Sequence, residues 1–293
     1  MRSRTVGTLG SALGFLLILA RSSAQPAPEH SHLMPRQTLF TARASGEQVV
    51  PRLGHRSDAN GTGAFVISAD AKSVAYRVTW DRLSSGPVTE IGVRNFGRGA
   101  VGRRIETLCG GSSARCPDAR GGTIEGTWKI DALLARELGV ERMYFDVRTA
   151  DATEGELRGQ ILPLPWMVHS EQFLGRLRRG TADAPGNGTA TFYITPLPQG
   201  TQVQFDLTVA GLPDGDVRVE IRRGDTRALA GTLRVDGERI YRRGGTISGI
   251  LRASDRRAPL PESVVSAIRS GRAALSVVVQ RRTVSSGTLV PVM

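Results

Sequence analysis

The chain has 293 residues, room for one large domain or two of ordinary size. Hydrophobic residues make up 40% and aromatics 5%, enough for packed cores, while 35 glycines speak for many tight turns and against long helices. The net charge is +12, and from Phe173 onward eighteen arginines stand against ten acids. Lys72 and Lys129 are the only lysines, so the arginine bias of a GC-rich genome competes with every reading of a basic patch.

The first residues have the form of a signal peptide. Arg2 and Arg4 precede the apolar stretch Leu13–Ala20, and Ser22–Ala24 is a small-residue cleavage site. That stretch is too short to span a bilayer, and no second apolar run follows, so no membrane span is expected. The expected mature chain starts near Gln25 and is secreted or periplasmic. Residues 25–37 are rich in proline and polar side chains and read as a flexible tail.

Next comes "NGTGAFVIS" (Asn60–Ser68), an Asn-Gly turn signal followed by an alternating strand. "SVAYRVTW" then puts Val74, Tyr76, Val78 and Trp80 on one face and Ser73, Arg77 and Thr79 on the other, the pattern of a half-buried antiparallel strand. A further strand, "TEIGVRN", leads to a cysteine-bearing loop and to "RGGTIEG" (Arg120–Gly126). "DALLAREL" (Asp131–Leu138) switches to helical spacing and ends at Gly139, and "RMYFDVRT" returns to strand.

The second half repeats this plan. "NGTATFYIT" (Asn187–Thr195) answers the first strand, and "TQVQFDLTV" sends Val203, Phe205, Leu207 and Val209 to one face and Gln202, Gln204, Asp206 and Thr208 to the other. "RVEIRR", "RGGTISG" (Arg243–Gly249), the helix "PESVVSAI" before Gly271, and "AALSVVVQ" follow in the same order. The distance from Gly139 to Gly155 equals that from Gly271 to Gly287, which pairs those glycines. The chain reads as a tandem duplication, with domains at 38–165 and 173–293 joined by a linker over 166–172. Short strands, regular turns and one small helix give each unit the make-up of a β-sandwich.

"YFDVRTADATEGELRGQI" (Tyr144–Ile161) resembles the closing motif of the CHRD (chordin-like) domain family, and "FTARASGEQVVP" (Phe40–Pro51) resembles that family's first strand and loop. The second unit joins the resemblance through the internal repeat, as a divergent copy. The resemblance implies an exported all-β chain of two tandem immunoglobulin-like, Greek-key sandwiches, each with one short helix. Members of the family often carry a His-x-His strand and a closing-strand histidine, reminiscent of copper–zinc superoxide dismutase. The aligned positions here are Gly92 and Arg94, and Glu220 and Arg222; Arg148 and Gln280 replace the closing histidine. A protonated guanidinium has no lone pair for a metal, so no metal or cofactor is expected.

Cys109 and Cys116 bracket a glycine-serine loop, and in an exported chain they are expected to form a local disulfide. Four histidines (His30, His32, His55, His169) make no selective metal set. Glu125, Asp146, Glu154 and Glu156 are the acids that a catalytic pair would draw on, yet Ser248, Val278, Ser285 and Thr288 stand near their counterparts in the second unit. Glu156 and Arg158 have their ordinary reading as an ion pair or loop hydrogen bonds. Asn60-Gly-Thr62 and Asn187-Gly-Thr189 are glycosylation sequons, and also the turn signal itself. Arg218, Arg222, Arg223, Arg239, Arg242 and Arg243 form a candidate polyanion-binding set, since guanidinium forks match phosphate, sulfate and carboxylate.

The expectation is a non-enzymatic extracellular or cell-envelope module that binds a protein or glycan partner, with no nucleic acid. An arginine-mediated binder of acidic polysaccharide or lipopolysaccharide is one alternative. A degenerate superoxide-dismutase-like metal enzyme is the other.

Overall fold

A computed structural model describes residues 38–51, 57–84, 86–117, 119–163, 170–180, 186–212, 216–233, 245–256 and 259–292. The expected leader and tail, and linker residues 166–169, lie outside the described residues. The first repeat contains β1 (Thr38–Ser45), β2 (Asn60–Ile67), β3 (Ser73–Asp81), β4 (Val88–Asn95), β5 (Arg104–Gly110), β6 (Gly122–Lys129), α1 (Ala132–Gly139), β7 (Met143–Thr149) and β8 (Leu157–Pro163). The second contains β9 (Glu171–Arg179), β10 (Gly188–Leu197), β11 (Gly200–Val209), β12 (Val217–Arg223), β13 (Leu229–Leu233), β14 (Gly245–Arg252), α2 (Glu262–Arg269), β15 (Ala273–Val279) and β16 (Arg282–Pro291).

The strands pair in the order β5-β4-β7-β8-β1-β2-β3-β6 in the first repeat and β13-β12-β15-β16-β9-β10-β11-β14 in the second. Replacing each strand by the one at the same place in the other repeat converts one order into the other. The protein is all-β. Instead of two stacked sheets, each repeat is one continuous, barrel-like sheet, because β8 pairs with both β7 and β1 and so joins the two would-be layers.

Alternation builds the interiors. Phe40, Phe65, Val78, Trp80, Val93 and Phe145 fill the first barrel, and Phe192, Phe205, Leu207, Ile221, Leu275 and Val277 the second. Full burial of such a side chain stabilises by about 1.5–3 kcal/mol. Phe65 packs against Trp128 and Phe145 at 6.0 and 6.1 Å, while Phe192 stacks on Phe205 at 5.5 Å. α1 is capped by Asp131, whose carboxylate accepts the Leu134 N–H at 2.8 Å.

Several sequence expectations shift in register. Asn60-Gly61 is not a hairpin turn: Asn60 opens β2, paired with Ser45 and Asp81. Gly139 is the last residue of α1, and the left-handed residue after that helix is Glu141 (φ 61°), whereas Gly271 (φ 66°) takes the expected role after α2. The equal spacing to Gly155 and Gly287 also misleads. Gly287 faces Leu275 as Gly159 faces Phe145, so Gly159 is the true counterpart of Gly287. A tight turn through Gln280 and Arg281 (φ 48° and 68°) replaces the longer β7–β8 loop.

The described residues all fall within one compact body. The polar faces of β3 and β11, which alternation alone assigns to solvent, are buried: Arg77, Thr79, Asp81, Asp206 and Thr208 are all under one-tenth exposed. They lie where the two barrels meet. Arg77 pairs with Glu125 and donates to the Gly188 and Leu177 carbonyls of the second repeat (3.2 and 3.3 Å), and the Gly211 N–H donates to Asp81 at 2.8 Å. Leu39, Ala64 and Tyr193 form a small apolar cluster beside them.

Burial pushes the Asp206 carboxyl above its ordinary range, opposed by Ser248 and the Arg43 charge. A raised folded pKa means that folding favours the protonated form, so this residue's contribution is fully present below the ordinary carboxylate pKa and is lost as pH rises through the folded value. Asp206→Asn is therefore expected to match the parent in urea midpoint at acid pH and to exceed it at neutral pH.

Candidate functional site

The strongest sequence signal runs into β8. Alternation turns Leu157, Gly159 and Ile161 inward and Glu156, Arg158 and Gln160 outward. All three outward side chains are nevertheless buried, because loops fold over that side and these groups satisfy them. Glu156 accepts from Ser57 Oγ (2.9 Å), Ser84 Oγ (2.8 Å) and the Ser84 N–H (2.5 Å). Arg158 donates to the Ala100 and Gly97 carbonyls at 2.7 and 3.0 Å and lies over the Tyr144 ring, 3.5 Å from its centroid. Gln160 Nε2 donates to the carbonyls of Phe96, Glu141 and Met143 at 3.1, 2.7 and 2.9 Å. The polar letters of the motif are clamps that hold loops, and Glu156 takes the loop hydrogen bonds expected of it.

The positions aligned with family histidines lie one strand away. Gly92 on β4 faces Asp146 on β7, and Glu90 faces Arg148. Arg94 donates through Nε to Asp146 Oδ2 (2.8 Å) and through Nη2 to Glu90 (2.8 Å). Arg148 donates to the same Asp146 oxygen at 3.0 Å, and Arg104 to Glu90 at 2.7 Å. Burial drives the Asp146 carboxyl upward, and Arg94 and Arg148 pull it down. This donor set does not fit a metal: two cationic side chains occupy the acid that histidines would share the site with. In the second repeat Glu220 faces Ser276, and Arg218 faces Val278. Ser276 is thus the counterpart of Asp146 and Val278 that of Arg148, and Gln280 lies in the turn beyond β15.

Cys109 and Cys116 form a disulfide, with an S–S distance of 2.07 Å. The acids named as a catalytic set do not assemble. Glu125 pairs with Arg77, Asp146 with arginines and Glu156 with hydroxyls, and Glu154 is exposed. All four histidines lie outside the described residues, as do Arg239, Arg242 and Arg243. Arg218 and Arg223 are exposed on β12, whereas Arg222 is held by Glu220 at 2.6 Å and donates to the Arg227 carbonyl. Thr62 and Thr189 of the sequons are fully buried between the barrels.

One cleft was not read from the sequence. It has a volume of about 440 Å³ on the outer side of β1 and β8, where Arg43, Arg98 and Arg158 converge beside Gln48, Gln160 and Leu162. Arg43 and Arg98 are exposed, and none of the three arginines forms a salt bridge among the described residues. Its arginines come from a strand, a loop and a distant strand, so no local pattern announces it.

Fold and site define an all-β, disulfide-bonded domain whose motif residues clamp loops. Residues 40–161 match the family model of the CHRD domain, and this part of the chain is a CHRD domain. No curated protein and no solved structure matches the chain. No helix among the described residues is long and apolar enough to cross a membrane.

Asp146→Asn removes the charge that Arg94 and the half-buried Arg148 share, but burial outweighs both arginines and holds the Asp146 carboxyl above its ordinary range, and Arg94 keeps Glu90. Urea unfolding at neutral pH is therefore expected to show a loss of no more than about 1 kcal/mol, with Tyr and Trp fluorescence of the folded variant unchanged.

Proposed function

We propose that the protein is an exported, non-enzymatic binding module of the extracellular space or cell envelope, and that its first repeat receives an anionic group of a glycan. The cleft lined by Arg43, Arg98 and Arg158 is the observation that carries this reading. Its volume lies within the range of small-ligand sites. Arg43 and Arg98 are exposed and form no salt bridge among the described residues, although the Arg43 charge is also felt by Asp206, and forked donors suit carboxylate and sulfate. The export reading rests on the leader-like start of the chain and on the extracellular habit of CHRD domains. The β12 arginines are a weaker platform, because Glu220 holds Arg222.

Retention of the mature chain on an immobilised sulfated polysaccharide, measured against salt, tests this. Arg43→Ser with Arg98→Ser is expected to elute at much lower salt than the parent, while Arg218→Ser with Arg223→Ser elutes near it. Co-elution of the cleft variant with the parent rejects the cleft as the site.

A further inference from the structure

The contacts between the barrels are reciprocal. Phe40, Phe65 and Tyr76 are neighbours across β1, β2 and β3, as Phe173, Phe192 and Phe205 are across β9, β10 and β11. By that register Thr62 corresponds to Thr189 and Thr79 to Thr208. Thr62 bonds Thr208 at 2.7 Å, and Thr79 bonds Thr189 at 2.7 Å: each threonine meets the counterpart of its own cross-strand neighbour. The chain of hydroxyls extends equally on both sides, from Thr79 to Thr123 at 2.8 Å and from Thr208 to Thr246 at 2.5 Å.

Other pairs keep the same symmetry with altered chemistry. Thr41 bonds Thr191 at 3.2 Å, and their counterparts, Leu174 and Ala64, lie in one apolar cluster. Arg77 lies near Arg176, with Glu125 contacting both, while its counterpart Asp206 feels the charge of Arg43, the counterpart of Arg176. The Leu39 N–H donates to Gln172 Oε1 at 2.7 Å, and these two residues correspond to each other, which places them at the axis. In an isologous interface, residue i meets j and j meets i.

We infer that the outer face of β1–β3 is a self-recognition surface, a two-fold dimer interface fused into one chain, and that the partner it fits is a second copy of the same face. The first repeat supplies both members of the reciprocal pair, Thr62 and Thr79, and also the Arg77–Glu125 pair that accommodates a facing arginine. Two first repeats therefore reproduce the hydroxyl chain on both sides of the axis. The second repeat keeps this face but not the clamps: Ser286 and Thr288 stand where β8 has Arg158 and Gln160, by the register of β16 on β9.

The test uses the full mature chain with a protease site placed within residues 164–169. After cleavage the two halves are expected to co-elute at the mass of the intact chain. When two cleaved preparations with different tags on the first repeat are mixed, the differently tagged first repeats are expected to co-purify. Thr79→Arg, which sets a charge in the hydroxyl chain, is expected to reduce that co-purification at least tenfold; circular dichroism of the uncut variant reports whether it is folded, and Thr62→Arg serves if it is not. Halves that separate on cleavage, or tagged first repeats that never meet, overturn the inference.

Discussion

Two polar sheet faces are buried against each other, and the arrangement of the whole body follows from that contact. A buried hydroxyl, carboxylate or guanidinium without a partner costs about 1–3 kcal/mol or more. Thr62, Thr79, Thr189 and Thr208 meet this constraint by pairing with one another, Arg77 by taking Glu125 and two carbonyls, and Asp81 by taking the Gly211 N–H. Hydrogen bonds of this kind are directional. They fix the register of one barrel on the other more sharply than apolar contact does, and the small cluster of Leu39, Ala64 and Tyr193 adds non-directional burial beside them.

The same logic operates inside the CHRD domain. Glu156, Arg158 and Gln160 point away from the core but are buried by loops, whose backbone groups they satisfy. Glu156 and Arg158, whose sequence reading is an ion pair or loop hydrogen bonds, are thereby loop anchors. Arg94, Arg148 and Asp146 extend this polar set, with an ion network at the positions aligned with family histidines. Hydrogen bonds from Arg158 tie the Gly97 and Ala100 carbonyls, on either side of Arg98, to the strand that lines the neighbouring cleft.

Period-two alternation made the strands, their inward faces and the duplication legible, because an inward Phe65 or Phe192 is required wherever the sheet has an interior. It was silent about the outward faces. Thr79 and Asp206 read as solvated, since alternation distinguishes two sides of a sheet but does not say what covers the second. Counting residues between glycines paired Gly155 with Gly287, while hydrogen-bond register pairs Gly159 with Gly287, because the repeats differ in the length of one turn. Cys109 and Cys116 were legible because the bond is local. The arginine cleft was not, since Arg43, Arg98 and Arg158 become neighbours only through the β1–β8 pairing and the loop that Arg158 holds.

Tyr193 gives the most direct check on the contact between the barrels. Its side chain is on the outward face of β10 and is only 1% exposed, covered by Leu39 and Ala64 of the first repeat. Hydroxyl-radical footprinting of the native mature chain is expected to modify Tyr193 as slowly as the core residue Phe192. Modification of Tyr193 at the rate of an exposed tyrosine would contradict the account, for it would mean that the outward face of β10 meets water rather than the first repeat.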